Sequence, residues 1–166
     1  MTTPAINLAT AGRRVFALAW LLIVLVAPVA TGTADGSDRL PVEQVVVTTA
    51  QGDISFDAEI AITDETRSRG LMFRRSMGER EAMLFYWDSP EPISMWMRNT
   101  YISLDMLFAD AEGVVVHVAA DTVPHSLDVI SAGREVSAVM EVVAGTAARL
   151  GIKPGSRLKH RFFEGS

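Results

Sequence analysis

The clearest pattern in the chain is an alternation of apolar and polar positions over residues 53–62, which only Ala61 interrupts. The apolar positions are Ile54, Phe56, Ala58, Ile60 and Ile62. A period of two residues predicts a β-strand with one buried face and one exposed face. The Gln51-Gly52 pair just before this strand predicts a turn, and the three valines of residues 45–47 predict the partner strand of a hairpin.

Two short segments have helical character. In residues 63–71, Thr63 can cap a helix, and the two acids that follow it suit the first turn because of the helix dipole. Gly70 lies where such a helix would end. Residues 145–150 predict a second small helix. Strands do not alternate with long helices anywhere in the chain, which argues against a parallel sheet.

The remaining apolar runs are short and are separated by Pro, Gly and Asp, which favour turns. They predict further strands at residues 83–87, 93–98, 104–108, 114–118, 136–143 and 157–163. About eight short strands and one or two short helices predict an all-β fold, an antiparallel β-sandwich or jelly-roll-like single domain. The predicted domain covers residues 43–164, and a small, polar linker is predicted at residues 35–42.

Residues 1–34 have a different composition from the rest of the chain. Arg13 and Arg14 precede an apolar run from Val15 to Val29, and small residues follow it. This order is typical of a secretory signal peptide, because about 15 apolar residues fall short of the roughly 20 that a membrane-spanning helix needs. The paired arginines also fit a twin-arginine signal. We therefore expect an exported, periplasmic protein that meets the membrane only through this segment, with an uncleaved anchor as the alternative.

The composition excludes several classes of site. The chain has no cysteine, so it has no disulfide framework, thiol nucleophile or zinc–thiolate centre. Of its 15 basic residues two lie in residues 1–34, which leaves 13 against 20 acidic residues and a net charge of −7. A domain of this charge repels a phosphate backbone, so no nucleic-acid partner is expected. We also predict no cofactor.

One apolar region carries unusual polarity. The stretch Trp96-Met97-Arg98-Asn99-Thr100 is followed closely by Leu104-Asp105-Met106-Leu107-Phe108. A buried polar group without a partner costs about 1–3 kcal/mol, so these polar residues in strand-like surroundings need a reason. By strand parity, Trp96 and Arg98 share one face of the strand. The polar groups either satisfy one another as a structural network or face a ligand, and the sequence leaves both interpretations open.

A series of motifs gives a family resemblance. In order along the chain they are Arg69-Gly70-Leu71-Met72-Phe73-Arg74, Met83-Leu84-Phe85, the two segments just named, Gly113-Val114-Val115, Pro124, Val139-Met140-Glu141-Val142, Gly145 and Gly155. This order resembles the family called "domain of unknown function 192" over residues 43–163. The resemblance implies a mostly β domain of sandwich or jelly-roll type with one short helix, and it implies no established activity. Members often carry a cysteine after the proline that corresponds to Pro124, and this chain has none.

The leading functional hypothesis is a small-ligand-binding module. Trp96 offers a flat apolar surface with one N–H donor, and Arg98 offers a guanidinium that suits a carboxylate or phosphate. The ligand is therefore expected to be small and anionic or flat. The candidate ligand-binding residues are Arg69, Trp96, Arg98, Asn99, Asp105 and Glu141. For two of them a structural interpretation competes, in which Asp105 pairs with an arginine and Asn99 fixes the tight connection at residues 99–103.

A second hypothesis is an enzyme. A hydrolase or lyase would use Asp105 or Glu141 as its base and Arg98 as an electrostatic partner. A carboxylate with a strongly raised pKa in an open cleft would favour this hypothesis, and a dry, salt-bridged Asp105 would count against it.

Two further hypotheses involve side chains of other types. An exposed aromatic patch at residues 85–87 (Phe-Tyr-Trp) would favour a protein-interaction domain. The thioethers of Met95 and Met97 are soft ligands that suit Cu(I), although methionine at alternating strand positions is usually a filler of the core. No other metal site is predicted.

Overall fold

The computed structural model of the chain describes residues 1–2 and 39–164. The chain divides into two units, Met1–Ala34 and Asp35–Ser166, and the fold below is that of the second. The predicted signal or anchor, apart from its first two residues, and residues 35–38 of the predicted linker lie outside the described residues. Among the helices that are described, none has the length and apolar composition needed to cross a membrane.

The described residues form nine strands, two short α-helices and a final 3₁₀ turn at Arg161–Phe163. The elements in chain order are β1 (Val42–Thr49), β2 (Gly52–Ala61), α1 (Asp64–Arg69), β3 (Glu81–Glu91), β4 (Ser94–Met95), β5 (Leu104–Ala109), β6 (Val115–Ala119), β7 (Ile130–Ser131), β8 (Val136–Val143), α2 (Thr146–Arg149) and β9 (Arg157–Lys159). Seven strands form one sheet in the order β6-β5-β8-β3-β2-β1-β9, and β4 pairs with β7 in a second, small sheet.

The alternating segment predicted from the sequence becomes β2, which pairs with β1 in an antiparallel hairpin. After β2 the chain crosses over through α1 and returns as β3, parallel to β2. Thr63 caps α1 because its hydroxyl accepts the backbone N–H of Thr66, and the Thr66 hydroxyl in turn accepts the backbone N–H of Thr63. This crossover gives the sheet its one parallel pair, since every other pairing in it is antiparallel.

The seven-stranded sheet curls into a half-barrel. Its two edges approach each other because β6 and β9 are joined through backbone bonds near residues 113–115. The Val115 N–H donates to the Ser156 carbonyl at 2.8 Å, and the Leu158 N–H donates to the Gly113 carbonyl at 2.7 Å. Gly113 has a φ of +76°, and a Cβ there would lie 2.5 Å from the Leu158 carbonyl oxygen. Only glycine fits this close approach between the edges.

Apolar side chains cover both faces of the curled sheet. We call the side that carries Met83, Phe85 and Met106 the pocket face, and the side that carries Leu84, Met140 and Leu107 the opposite face. Each face has its own buried hydrophobic cluster. Strands buried on both sides explain why β8 is almost wholly apolar in sequence instead of alternating.

The predicted fold class is confirmed. Of the residues that the structure describes, 44% lie in strands and 10% in helices, with the two short helices that were expected. Several details differ from the predicted elements, among them the short strand β7 and the parallel pairing of β2 with β3, which were not predicted. The strand expected at residues 93–98 is reduced to Ser94–Met95, and the last predicted strand ends at Lys159 and continues as the 3₁₀ turn.

Candidate functional site

A row of five side chains runs across the pocket face, one from each of five adjacent strands. Cross-strand pairing aligns Glu59, Met83, Glu141, Met106 and Ala119 in this order. Residues that pair directly across a sheet project to the same face. Two acids therefore lie on one apolar face, separated only by Met83.

The first of these acids is paired. The Arg74 guanidinium donates to Glu59 Oε1 at 2.6 Å, and the backbone N–H of Leu40 donates to the other carboxyl oxygen at 3.3 Å. A buried carboxylate with an arginine and a backbone donor is a satisfied structural ion pair.

The second acid, Glu141, has no such partner. Its residue is only 4% exposed, and none of the hydrogen bonds or ion pairs found within residues 39–164 involves its carboxyl group. Burial raises the pKa of this carboxyl from 4.5 to about 8. A glutamate between two methionines loses most of its hydration, so its neutral form is favoured at pH 7.

Glu141 opens onto a pocket of about 190 Å³ at the edge of the pocket face. The pocket lies between the end of α1 with the loop after it, β3, and the segment at residues 94–100. Its lining is Arg67, Ser68, Arg69, Gly70, Leu71, Met72, Phe85, Trp87, Ser94, Met95, Trp96, Arg98, Thr100 and Glu141. Pockets for drug-sized ligands have volumes of roughly 300–1,000 Å³, so this pocket suits a smaller molecule.

Three arginines and two tryptophans line the pocket. The Arg67 guanidinium lies 5.0 Å from the centre of the Trp87 ring, and that of Arg98 lies 5.6 Å from the centre of the Trp96 ring. Arg67 also donates to two backbone carbonyls and to Asp64, so it is held in place. Arg98 and Trp96 are exposed, and Trp96 retains 48% of its accessible surface.

Local backbone geometry brings the two motif segments to one pocket. Gly70 ends α1 with a φ of +48°, which allows the chain to turn directly over the Phe85 ring. A Cβ at residue 70 would lie 3.2 Å from that ring. The loop that follows is tied to the second segment because the Phe73 N–H donates to the Asn99 carbonyl at 2.8 Å. Both residues in this bond have positive φ, +65° for Phe73 and +57° for Asn99.

Four of the six predicted ligand-binding residues line this pocket, namely Arg69, Trp96, Arg98 and Glu141. Asn99 does not line it. Its amide nitrogen lies 3.9 Å from the Met72 sulfur, and its backbone occupies the left-handed region that asparagine tolerates. Asn99 therefore has the turn-forming role that the sequence left open as its alternative.

Asp105 is not at the pocket either, because strand parity places it on the opposite face of the sheet. It is fully buried, and its carboxylate accepts the backbone N–H of Asp121 at 2.9 Å and that of Ala147 at 2.8 Å. The expectation of an arginine partner is wrong, since both partners are backbone amides. Gly145 has no side chain to cap α2, and Asp105 supplies this cap from β5.

The two methionines of the copper hypothesis are in different surroundings. Met97 is fully buried, does not line the pocket, and accepts a hydrogen bond from the Thr122 hydroxyl at its sulfur, 3.2 Å away. Met95 is half-buried and lines the pocket. Within residues 1–2 and 39–164, no group of three or more His, Cys, Asp or Glu side chains could hold a metal ion. The two thioethers do not share one accessible site, because only Met95 lines the pocket.

The expected aromatic patch at residues 85–87 is not exposed. Phe85 is 1% exposed, and Tyr86 stacks on Phe162 with a centroid distance of 4.3 Å. Sequence reasoning also missed Arg67 and Trp87 as pocket residues. Parity along β3 could have indicated Trp87, because residues 83, 85 and 87 share one face, but no sequence signal places α1 beside it.

The fold and the site together define a curled, mostly β domain with a small pocket lined by arginine and tryptophan around one buried acid. A family model for DUF192, described as "Uncharacterized ACR", matches residues 45–160. The chain belongs to this family, as its motifs indicated. No curated protein matches it significantly.

Two solved structures are similar to this chain. A protein of Sinorhizobium meliloti described as a "putative transcription regulator" has 39% sequence identity and a TM-score of 0.72, over 75% of this chain and 97% of its own. A protein of unknown function from Novosphingobium aromaticivorans has 37% identity and a TM-score of 0.71, over 81% of this chain and 91% of its own.

Proposed function

We propose that this domain is an exported small-ligand-binding module whose ligand occupies the pocket between Glu141 and Arg98. One observation carries the proposal. Glu141 is a buried carboxyl that opens onto the pocket and has no hydrogen-bond or ion-pair partner among the described residues, whereas Glu59 on the same face of the sheet pairs with Arg74 and accepts the Leu40 backbone N–H. Buried polar groups are normally satisfied, so an exception at a pocket points to a partner from outside the chain.

The walls and mouth of the pocket indicate the chemistry of the ligand. Trp96 and Trp87 offer flat apolar surfaces, and Arg98 presents an exposed cation. Since an arginine fork matches a carboxylate or phosphate, the ligand is a small, flat molecule with an anionic group directed to Arg98.

Export is the part of the proposal that rests on residues 1–34 alone. A role in transcription, as in the description of the Sinorhizobium protein, is not proposed for this chain. Its net charge of −7, calculated without residues 1–34, opposes contact with a nucleic-acid backbone.

A second candidate function is proton-transfer catalysis, for which Glu141 is the specific support. Its carboxyl has a pKa raised to about 8 and opens onto a pocket that also contains Arg98. A carboxyl in such surroundings can exchange a proton with a bound molecule near neutral pH. Asp105, the other base considered, is dry, bonded to backbone and remote from the pocket.

The binding proposal predicts that 4-methylbenzoate, a small flat anion, binds to the domain through Trp96 and Arg98. Arg98→Ala is expected to weaken its affinity about tenfold, because a charge-assisted hydrogen bond is lost, and Trp96→Ala is expected to weaken it by a similar factor. Two-dimensional NMR titration measures both affinities.

Two matched variants control for charge and aromatic area. Arg134→Ala removes an exposed arginine outside the pocket, and Tyr101→Ala removes an exposed aromatic ring outside it. Both are expected to bind 4-methylbenzoate within about twofold of the wild type. Equal losses in the pocket variants and their controls, or no binding by any of the proteins, would contradict the proposal.

A further inference from the structure

We propose that the inner end of the pocket is specific for a nitrogen–hydrogen donor, so that the ligands are small zwitterions with an amine at Glu141 and an anionic group at Arg98. This inference rests on the proposed binding function and adds the class of ligand to it.

Glu141 lacks a hydrogen-bond donor among its cross-strand neighbours. The residues beside it across the sheet are Met83 and Met106, which offer thioethers and no donor. A carboxylate accepts hydrogen bonds only, and its two oxygens can take several. A ligand group that satisfies the ionised form of Glu141 must therefore donate, and a protonated amine donates with a compensating charge.

The other charged side chains that face the pocket are arginines. Among residues 1–2 and 39–164 these are Arg67 and Arg69 from α1 and Arg98 from the segment after β4. Strands β3, β5 and β8 contribute no charged side chain to the lining besides Glu141 itself. None of the ion pairs identified in the described part of the chain joins one of these arginines to Glu141, and burial is the only cause of the shift in its pKa. The acidic and basic groups of the pocket are thus separate, as a zwitterion requires.

Aromatic rings form part of the pocket wall between these charges. The rings of Phe85 and Trp87 are stacked with a centroid distance of 6.5 Å and an interplanar angle of 23°. Both line the pocket with Glu141. Aromatic faces attract cations as well as flat rings, so they favour an amine at the inner end over a second anion. An anion beside the ionised form of Glu141 would be repelled, whereas an ammonium group is attracted to it.

Proton exchange provides a signature of this arrangement. The raised pKa of Glu141 means that its carboxyl is largely protonated at pH 7, and an ammonium group pairs with the ionised form. Binding of the amine at pH 7 therefore releases close to one proton, while binding of an anion alone releases none. For the same reason the affinity for the amine should rise as the pH increases from 6 to 8.

The test compares 4-(aminomethyl)benzoate with 4-methylbenzoate, which differ only in the amine. Isothermal titration at pH 7 in HEPES and in Tris, which have different heats of ionisation, gives the affinity and, from the difference in heats, the number of protons released. We expect the wild type to bind the aminomethyl compound about tenfold or more tightly than the methyl compound. In Glu141→Gln this preference and the proton release should both disappear, because the amide carries no charge.

The outcomes separate this inference from the proposed function. Equal affinity of the wild type for the two compounds, or a preference that survives in Glu141→Gln, would overturn the inference and leave anion binding at Arg98 intact. Failure of both compounds to bind would overturn the proposed function and the inference with it. The proton count in the wild type needs no variant, so it decides the matter even if Glu141→Gln does not fold.

Discussion

Replacing Glu141 with glutamine is expected to stabilise the protein strongly at pH 9 and to leave it almost unchanged at pH 5. The reason is that the buried carboxyl has no partner to compensate for its charge once it is ionised. Glutamine has nearly the same shape and cannot ionise. Urea unfolding of both proteins at the two pH values measures the difference in the free energy of unfolding.

The direction of this change in stability follows from the pKa of Glu141 in the folded and the unfolded states. The carboxyl has a pKa of about 8 in the folded protein and about 4.5 in the unfolded chain. Between these values the folded state binds more protons, so the stability of the wild type falls as the pH rises through this window. A shift of this size corresponds to roughly 3–5 kcal/mol, the amount by which Glu141→Gln should exceed the wild type at pH 9.

Glu59→Gln is the matched control, because Glu59 is equally buried on the same face but is paired with Arg74. Removing one partner of a buried ion pair is expected to cost about 3–5 kcal/mol. This variant should therefore lose stability at both pH values and show no gain at pH 9. A Glu141→Gln variant that behaves like Glu59→Gln would mean that Glu141 has a structural partner after all.

The second large effect is expected at Asp105, although its role is structural. Asp105→Asn should destabilise the fold by about 2–4 kcal/mol. An amide has one acceptor oxygen, so its NH₂ group would face one of the two backbone N–H donors that the carboxylate now satisfies. Loss of the cap at the start of α2 adds to this cost. Urea unfolding at pH 7 gives the magnitude.

Two further measurements test whether Asp105 has only a structural role. Asp88→Asn changes an exposed aspartate and is expected to shift stability by at most about 0.5 kcal/mol. Because Asp105 lies on the face opposite the pocket, the folded fraction of Asp105→Asn should bind 4-methylbenzoate within about twofold of the wild type. Loss of binding in a folded Asp105→Asn protein would place this residue back in the ligand site and contradict the account.

The sequence was sufficient for most of the fold because local signals agreed with the final structure. The alternation before Thr63 predicts β2, and Thr63 and Gly70 mark the two ends of α1. The short strand β7 was missed because two residues, Ile130 and Ser131, give no periodicity. The parallel pairing of β2 with β3 was also not predictable, since a helix as short as α1 gives no sign of a crossover connection.

The candidate site was predictable only in part. Strand parity correctly separates Asp105 from Met106 on β5, but it does not say which face carries a pocket. At Trp96 and Arg98 parity fails because the chain leaves the strand after Met95. The difference between Glu59 and Glu141 depends on where Arg74 reaches from a distant loop, and a pattern of apolar and polar positions contains no such information.

The central claim is that the pocket contains a buried carboxyl without a partner among residues 1–2 and 39–164. The most direct measurement is the pKa of Glu141 in the ligand-free protein, from the pH dependence of its side-chain carboxyl ¹³C signal, assigned by comparison with Glu141→Gln. We expect the midpoint of this titration near pH 8, well above the ordinary glutamate value. A midpoint near 4.5 would mean that the carboxyl is hydrated or paired, and the pocket would lose the feature on which both proposals rest.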